Sequence, residues 1–161
     1  ARFENQKTSA HFEKINLNEV LLGTLSKFDI ELENKNITVV ENSKETFFVS
    51  TDLYLLTVIF HNLVSNAIKY SKPNSKIIIS IYKKEENAFF EIQDFGIGIA
   101  ESELSKIFDS FYRASNTLDY SEIKGTGLGL SITKRLCDIL NIEISATSQL
   151  NQGTIFTLRF V

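Results

Sequence analysis

The sequence predicts an α+β fold: a two-layer sandwich with three long helices on one face of a mixed, mostly antiparallel sheet. Three segments repeat apolar residues at helical intervals. Two pairs of short segments alternate apolar and polar residues around polar turns, as antiparallel hairpins do. The 161 residues are 43% hydrophobic and include 13 Phe, which is enough for a single closed core.

The first elements are predicted from short alternating runs and one apolar stripe. Residues 12–17 alternate as in a strand, and a helix is predicted from residue 18 to about residue 34. Four apolar residues define this helix, at spacings of four, three and four: Leu21, Leu25, Phe28 and Leu32. Residues 37–40 and 47–49 are β-branched or aromatic, which indicates two strands with a polar turn between them.

A second helix is predicted over residues 52–70, where apolar residues return at helical intervals until Pro73 and its polar neighbours end the pattern. Residues 76–82 and 88–92 flank a charged turn and predict a hairpin. Asp94 is therefore expected just past a strand, at the edge of the sheet.

The last third of the chain predicts a short helix over residues 102–108 and a flexible lid over residues 112–126, which are polar and lack periodicity. A third long helix is predicted over residues 126–140. Residues 142–146 and 154–160 then predict a closing hairpin.

Composition excludes several classes of function. The net charge of -3 and the pI near 5.5 argue against nucleic acid as a partner, because the surface has no strong basic field. No apolar run approaches the ~18 residues that a membrane-spanning helix needs. The single cysteine, Cys137, permits no internal disulfide and favours a reducing, cytosolic environment. The absence of Met leads us to expect a fragment of a longer polypeptide.

The second helix carries a polar stripe. Asn62, Asn66 and Lys69 are separated by four and three residues, so they project within about 60° of one another. An amide oxygen suits Mg²⁺ that phosphates already bind, and a lysine can neutralise those phosphates. The alternative interpretation is a solvent-facing side of the helix whose Asn side chains serve as caps or sheet contacts.

Residues 94–98, Asp-Phe-Gly-Ile-Gly, follow a strand directly. A carboxylate at this place can accept a hydrogen bond from an exocyclic amine, so Asp94 is a candidate to bind adenine N6. The alternative is an ordinary turn at the end of a strand.

Residues 125–131, Gly-Thr-Gly-Leu-Gly-Leu-Ser, lead into the third helix. Glycines at a helix N-terminus expose N–H groups to an anion, so these residues predict a phosphate site, with glycine capping as the alternative. Phe108 and Phe111 can anchor a lid or simply belong to the core, and Arg113 can reach phosphate. His11 and His61 have no partner at metal-ligand spacing and are expected to be structural.

In this order the motifs closely resemble the catalytic and ATP-binding domain of bacterial sensor histidine kinases, in the superfamily of gyrase B, Hsp90 and MutL. Residues 62–71 resemble the N box, residues 94–98 the G1 box, residues 108–113 the F box and residues 125–130 the G2 box. The resemblance covers residues 12–161. It implies the two-layer sandwich known as the Bergerat ATP-binding fold.

The resemblance also implies roles for the matching residues, with ATP and Mg²⁺ as cofactors. Asn62, Asn66 and Lys69 would be the catalytic residues: Asn66 the Mg²⁺ ligand, Asn62 close to the metal and phosphates, and Lys69 on phosphate. Asp94 would bind the adenine amine and Tyr70 would pack near the base. The other residues implied to contact the nucleotide are Gly96, Gly98, Ile99, Phe108, Arg113, Lys124, Gly125, Thr126, Gly127, Leu128, Gly129 and Leu130.

Asn62 points to the type of reaction. Hydrolysing relatives in this superfamily carry a water-activating glutamate one helical turn before the metal-binding Asn, and Asn62 stands at that position here. Because an amide is a poor base, we expect the γ-phosphate to be offered to an acceptor other than water. The predicted function is phosphoryl transfer from Mg-ATP to a histidine on a separate dimerisation domain of a two-component sensor kinase, for relay to a response regulator.

The sequence departs from the family pattern in three places. Phe95 stands where an Asn often follows the G1 aspartate, and Asn141-Ile142 replaces a pair of glycines after the third helix. His11 is followed by Phe12 rather than by an acidic residue, so we expect this fragment to lack its own substrate histidine.

Two alternative functions remain open. A nucleotide-sensing interaction module without phosphotransfer would fit Phe95 and the missing acceptor, whereas an ATPase of the gyrase or MutL type would require a glutamate at position 62. We expect residues 1–11 to be a flank leading to an absent dimerisation hairpin and residues 12–161 to be the catalytic domain. The expected domain is cytoplasmic and monomeric, and its parent is expected to be a homodimer whose inner-membrane anchoring is left open.

Overall fold

A computed structural model describes residues 10–43, 45–110 and 129–161. The helices are α1 (Leu17–Ser26), α2 (Asp29–Lys35), α3 (Leu53–Tyr70) and α4 (Gly129–Leu140), with a 3-10 helix at Glu101–Lys106. The strands are β1 (Glu13–Asn16), β2 (Thr38–Asn42), β3 (Phe48–Thr51), β4 (Lys76–Lys84), β5 (Asn87–Asp94), β6 (Ile142–Gln149) and β7 (Gly153–Phe160).

The main sheet has five strands in the order β2-β4-β5-β7-β6. Only the β2–β4 pair is parallel, and β1 pairs with β3 in a separate antiparallel sheet. The predicted α+β fold with a mixed, mostly antiparallel sheet is confirmed, as are the β4–β5 and β6–β7 hairpins. The strands predicted on either side of the polar turn at residues 41–45 both exist, but they lie in different sheets.

The prediction of one continuous helix over residues 18–34 is wrong, because this segment forms two helices, α1 and α2. The backbone leaves helical geometry at Phe28, whose φ and ψ are -112° and 15°, and α2 starts at Asp29. The break lets the buried Phe28 ring pack against the ring of His61 on α3, with the two centroids 4.9 Å apart. His61 is thus a partner in packing.

The core lies between α3 and the main sheet. Phe60 of α3 stacks on Phe90 of β5 with ring centroids 4.4 Å apart, and both are fully buried. Burial of each such side chain contributes about 1.5–3 kcal/mol relative to exposure. The side chain of Asp52 caps α3 by accepting a hydrogen bond from the Leu55 N–H at 3.0 Å. This packing fixes α3, and therefore its polar stripe, on the sheet.

Within the described ranges, no helix combines the length and apolar character needed to cross a membrane.

Candidate nucleotide-binding site

The C-terminal half of α3 presents the predicted polar stripe. Asn66 is partly buried and Lys69 is exposed. Neither side chain forms a hydrogen bond or ion pair with any residue that the structure describes. An amide that is partly removed from water without a protein partner is suited to bind a ligand.

Asn62 connects α3 to the start of α4. Its Nδ2 donates to Thr133 Oγ1 at 3.1 Å and to the Gly129 carbonyl at 3.4 Å, and the Thr133 hydroxyl donates to the same carbonyl at 2.7 Å. The stripe and the N-terminus of α4, where Leu130 also lies, are therefore neighbours. Thr133 is fully buried, and sequence reasoning did not identify it.

Asp94 is the last residue of β5 and is only 5% exposed. Its Oδ1 accepts hydrogen bonds from the N–H groups of Gly96 (3.0 Å) and Thr154 (3.3 Å). Burial raises the pKa of this carboxyl to about 6, and the two backbone hydrogen bonds partly oppose that effect. Its second oxygen accepts no hydrogen bond from the described part of the chain, so it is available to a donor such as an exocyclic amine.

The two glycines after Asp94 allow the chain to run close to its neighbours. A Cβ at Gly96 would lie 1.8 Å from the Tyr70 carbonyl oxygen, and the Ile97 N–H donates to that oxygen at 3.2 Å. Gly98 has φ +70°, and its Cβ would lie 2.0 Å from the Gln149 carbonyl oxygen. These contacts join residues 94–98 to the end of α3 and to the end of β6.

The turn between β6 and β7 also lies beside Asp94. From the sequence it was predicted only as part of a hairpin. The Ile99 N–H donates to Ser148 Oγ at 2.7 Å, and that hydroxyl lies 2.8 Å from both the Gly153 carbonyl and Thr154 Oγ1. The Gly-Thr pair at the start of β7 is the one signal in the sequence that could have indicated this contact.

Two predicted aromatic positions pack within the protein. Phe108 lies edge-on to Phe156 with centroids 6.4 Å apart, as expected for a core residue. Phe95 is partly buried, and Lys76 Nζ lies 5.4 Å from its ring centroid. Six predicted site residues lie outside the described residues, as does the predicted lid: Arg113, Lys124, Gly125, Thr126, Gly127 and Leu128.

The structure thus brings together the described parts of the predicted motifs. Tyr70 and Gly96 join α3 to residues 94–98, and Asn62 joins α3 to α4. In the described ranges, no three His, Cys, Asp or Glu side chains converge to hold a metal ion. The neutral Asn66 amide is the ligand type expected where phosphates provide the other metal ligands.

Comparisons with known proteins agree with this arrangement. The sequence model of the family described as "Histidine kinase-, DNA gyrase B-, and HSP90-like ATPase" matches residues 51–161. Sensor protein RprX of Bacteroides fragilis is 32% identical over 160 residues, covering 97% of this chain and 30% of RprX. Circadian input-output histidine kinase CikA of Synechococcus elongatus is 30% identical over 158 residues, covering 98% of this chain and 19% of CikA.

Solved structures show the same fold. The catalytic domain of histidine kinase ThkA has a TM-score of 0.80 at 26% identity, covering 93% of this chain and 95% of that chain. Histidine kinase AdeS of Acinetobacter baumannii has a TM-score of 0.79 at 25% identity, covering 98% and 71% of the two chains. ThkA has also been solved in complex with the response regulator protein TrrA.

The chain belongs to the family of histidine kinase-, DNA gyrase B- and HSP90-like ATPases. Its relatives include a sensor protein, RprX, and a histidine kinase, CikA, and the predicted resemblance to the ATP-binding catalytic domain of a sensor histidine kinase is confirmed. ATP binding follows from membership of this family. The chain spans 30% of the length of RprX and 19% of the length of CikA.

Proposed function

We propose that the chain binds Mg-ATP and acts as the catalytic part of a protein-histidine kinase. The phosphoryl group would pass to a histidine on a dimerisation domain of the same parent protein, and from there to a response regulator. The observation that carries the proposal is that the Asn66 amide and one oxygen of Asp94 are both without a hydrogen bond among the described residues, on elements joined through Tyr70 and Gly96.

Different residues of the chain would contact the base, the metal and the phosphates of the nucleotide. Asp94 would accept a hydrogen bond from the adenine amine, and Tyr70 would pack near the base. Asn66 would hold Mg²⁺ together with the phosphates, and Lys69 would neutralise phosphate charge. The metal, once bound, would supply charge stabilisation to the phosphates. The remaining contacts are proposed for residues 113 and 124–130, at and before the start of α4.

Asn62 favours transfer to a histidine over hydrolysis. A water-activating base at this position would have to accept a proton, but an amide is a poor base, and Asn62 Nδ2 already donates to Gly129 and Thr133. The N-terminus of α4 is thereby tied to the α3 stripe. We propose that Asn62 orients the elements around the phosphates. Because its side chain is an amide, no general base stands at this position to activate water.

The partners of the parent protein follow the same reasoning. A response regulator, through its receiver domain, is proposed as a partner because ThkA, which shares this fold, forms a complex with the response regulator protein TrrA. We propose that the acceptor histidine lies on a separate dimerisation domain, because His11 and His61 are followed by Phe12 and Asn62 and not by an acidic residue, and that residues 1–11 are part of the link to it. We propose that the isolated domain is a monomer and its parent a homodimer.

Two measurements test the proposal in sequence. Isothermal titration calorimetry of the chain with Mg-ATP should show saturable binding that Asn66→Ala weakens by at least about tenfold. Added dimerisation domain of the parent protein should then become labelled from γ-³²P-ATP at its histidine. Wild-type chain that does not bind Mg-ATP would contradict the nucleotide site.

Binding without labelling of the dimerisation domain would reject the kinase and favour the nucleotide-sensing module. Sustained ATP hydrolysis by the isolated chain would instead favour an ATPase of the gyrase or MutL type.

A further inference from the structure

Lys35, the last residue of α2, lies against the C-terminal end of α3. Its ammonium donates hydrogen bonds to three backbone carbonyls: Ile68 at 2.8 Å, Lys69 at 3.0 Å and Ser71 at 2.9 Å. An ammonium has three N–H donors, so α3 and its cap use all of them. No motif in the sequence pointed to this residue.

These carbonyls need a partner because the last turn of a helix has none of its own. The other two carbonyls at this end are satisfied otherwise: Ala67 accepts from the Ser71 N–H and hydroxyl, and Tyr70 accepts from the Ile97 N–H. A positive charge also interacts favourably with the negative end of the helix dipole. Lys35 is thus the main partner of the final turn of α3.

Two hydrogen bonds to Asn74 hold the backbone at Lys35 in place. Its carbonyl accepts a hydrogen bond from the Asn74 N–H at 2.9 Å, and Asn36 Nδ2 donates to Asn74 Oδ1 at 2.8 Å. Burial lowers the pKa of the Lys35 ammonium, as expected for a charge drawn partly out of water onto the helix end.

We infer that Lys35 is a positioning residue for nucleotide binding, which fixes the final turn of α3 and with it Lys69, whereas Tyr70 is held separately by the hydrogen bond from the Ile97 N–H to its carbonyl. This inference rests on the proposed function. Asp94 is held independently by the N–H groups of Gly96 and Thr154. Loss of Lys35 should therefore weaken the metal and phosphate contacts made from α3 more than the adenine contact made by Asp94.

The test compares two ligands of the same chain, Mg-ATP and adenosine, at a temperature at which each variant is folded by circular dichroism. Lys35→Met should weaken Mg-ATP at least about tenfold, as the loss of residues that support a ligand site commonly does, and should change adenosine affinity by less than about threefold. Lys27→Met is the matched control, because Lys27 is exposed and its side chain forms no hydrogen bond or ion pair with the described residues.

Chemical restoration of the ammonium separates positioning from general stabilisation. Lys35→Cys treated with 2-bromoethylamine regains an ammonium on a side chain of lysine length and should recover Mg-ATP affinity to within about threefold of wild type. Cys137 should not react, because it is buried and the pKa of its thiol is raised to about 12. If Lys35→Met is unfolded, Lys35→Arg replaces it, since a planar guanidinium keeps the charge but cannot reproduce three converging donors.

Equal losses for Mg-ATP and adenosine, unchanged Mg-ATP affinity, or no recovery after alkylation would each overturn the inference. Failure of the wild-type chain to bind Mg-ATP would instead reject the proposed function, so the two failures are distinguishable.

Discussion

The Tyr70 carbonyl oxygen occupies the space that a side chain at Gly96 would need. A Cβ there would lie 1.8 Å from this oxygen, and the neighbouring Ile97 N–H donates to it at 3.2 Å. The contact joins the end of the helix that carries the polar stripe to the segment that carries Asp94. A small residue at position 96 is therefore a condition for the two halves of the candidate site to meet.

Gly96→Ala should lower the free energy of unfolding by roughly 1–3 kcal/mol, because backbone atoms rather than a flexible side chain must move. Adenosine and Mg-ATP affinities should both fall, since the change separates α3 from residues 94–98. Urea denaturation and calorimetry measure the two effects. Gly23→Ala in α1 is the control: apart from its own stretch of helix, no atom of the described residues lies within 4 Å of its Cβ, so it should stabilise by roughly 0.5–1 kcal/mol and leave binding unchanged. Equal stability of the two variants would show that position 96 has room for a Cβ.

Asp94→Asn should stabilise the ligand-free domain near neutral pH while it removes adenosine binding. The folded-state pKa of Asp94, about 6, lies above its ordinary value of 3.8. Its contribution to stability is therefore complete below pH 3.8 and is lost as the pH rises through about 6. That loss is about 3 kcal/mol, and Asn avoids it because it carries no charge.

Urea denaturation of both proteins between pH 4 and pH 8 measures this effect. The stability of Asp94→Asn relative to wild type should increase with pH and level off above about pH 7. A difference between the two proteins that does not change with pH would show that Asp94 ionises normally in the folded chain.

Ligand affinity should depend on the same ionisation. Below pH 6 an increasing fraction of Asp94 is protonated, so adenosine affinity should fall by up to about tenfold per pH unit. Adenosine is the appropriate ligand because it has no phosphate that titrates in this range. Fluorescence competition or NMR titration at pH 5, 6 and 7.5 would reveal the trend. Affinity that is constant over this range would mean that the base does not contact Asp94.

A substitution in the turn between β4 and β5 should stabilise the domain without changing nucleotide affinity. Glu85 and Glu86 both adopt positive φ, 50° and 71°, which disfavours residues with a Cβ. Glu86→Gly should raise the free energy of unfolding by about 1 kcal/mol. Mg-ATP affinity should not change, because β5 separates this turn from Asp94 by about 23 Å.

Glu86→Gln is the control for this turn, since it removes the charge and keeps the Cβ. The ion pair that Glu86 forms with Lys83 is long, 3.9 Å, and exposed, so its loss should matter little. A gain in stability for Glu86→Gln equal to that for Glu86→Gly would attribute the effect to charge and not to the backbone.

The sequence predicted most of the fold because its periodicity is strong. Both hairpins and α3 were found in this way, and α3 carries eight buried residues on one face. The break at Phe28 could not be found, since the apolar spacing continues through it and the ring contact that accompanies it is made with His61, distant in sequence. Backbone contacts made only in the folded chain cannot be predicted from spacing.

The same limit applies to the candidate site. Asn66 and Asp94 were predicted because they stand in short motifs whose residue types indicate metal and base binding. Lys35, Ser148 and Thr154 were missed, because they act through backbone groups of other elements. A lysine at the end of a helix or a serine in a strand has no distinctive signal in one sequence.

The most direct test of the central claim is a crystal structure of the chain with Mn²⁺ and a non-hydrolysable ATP analogue. We expect an anomalous manganese peak about 2.1–2.2 Å from Asn66 Oδ1, and the adenine amine within hydrogen-bond distance of Asp94. A manganese peak remote from Asn66, or an adenine bound without contact to Asp94, would contradict the central claim.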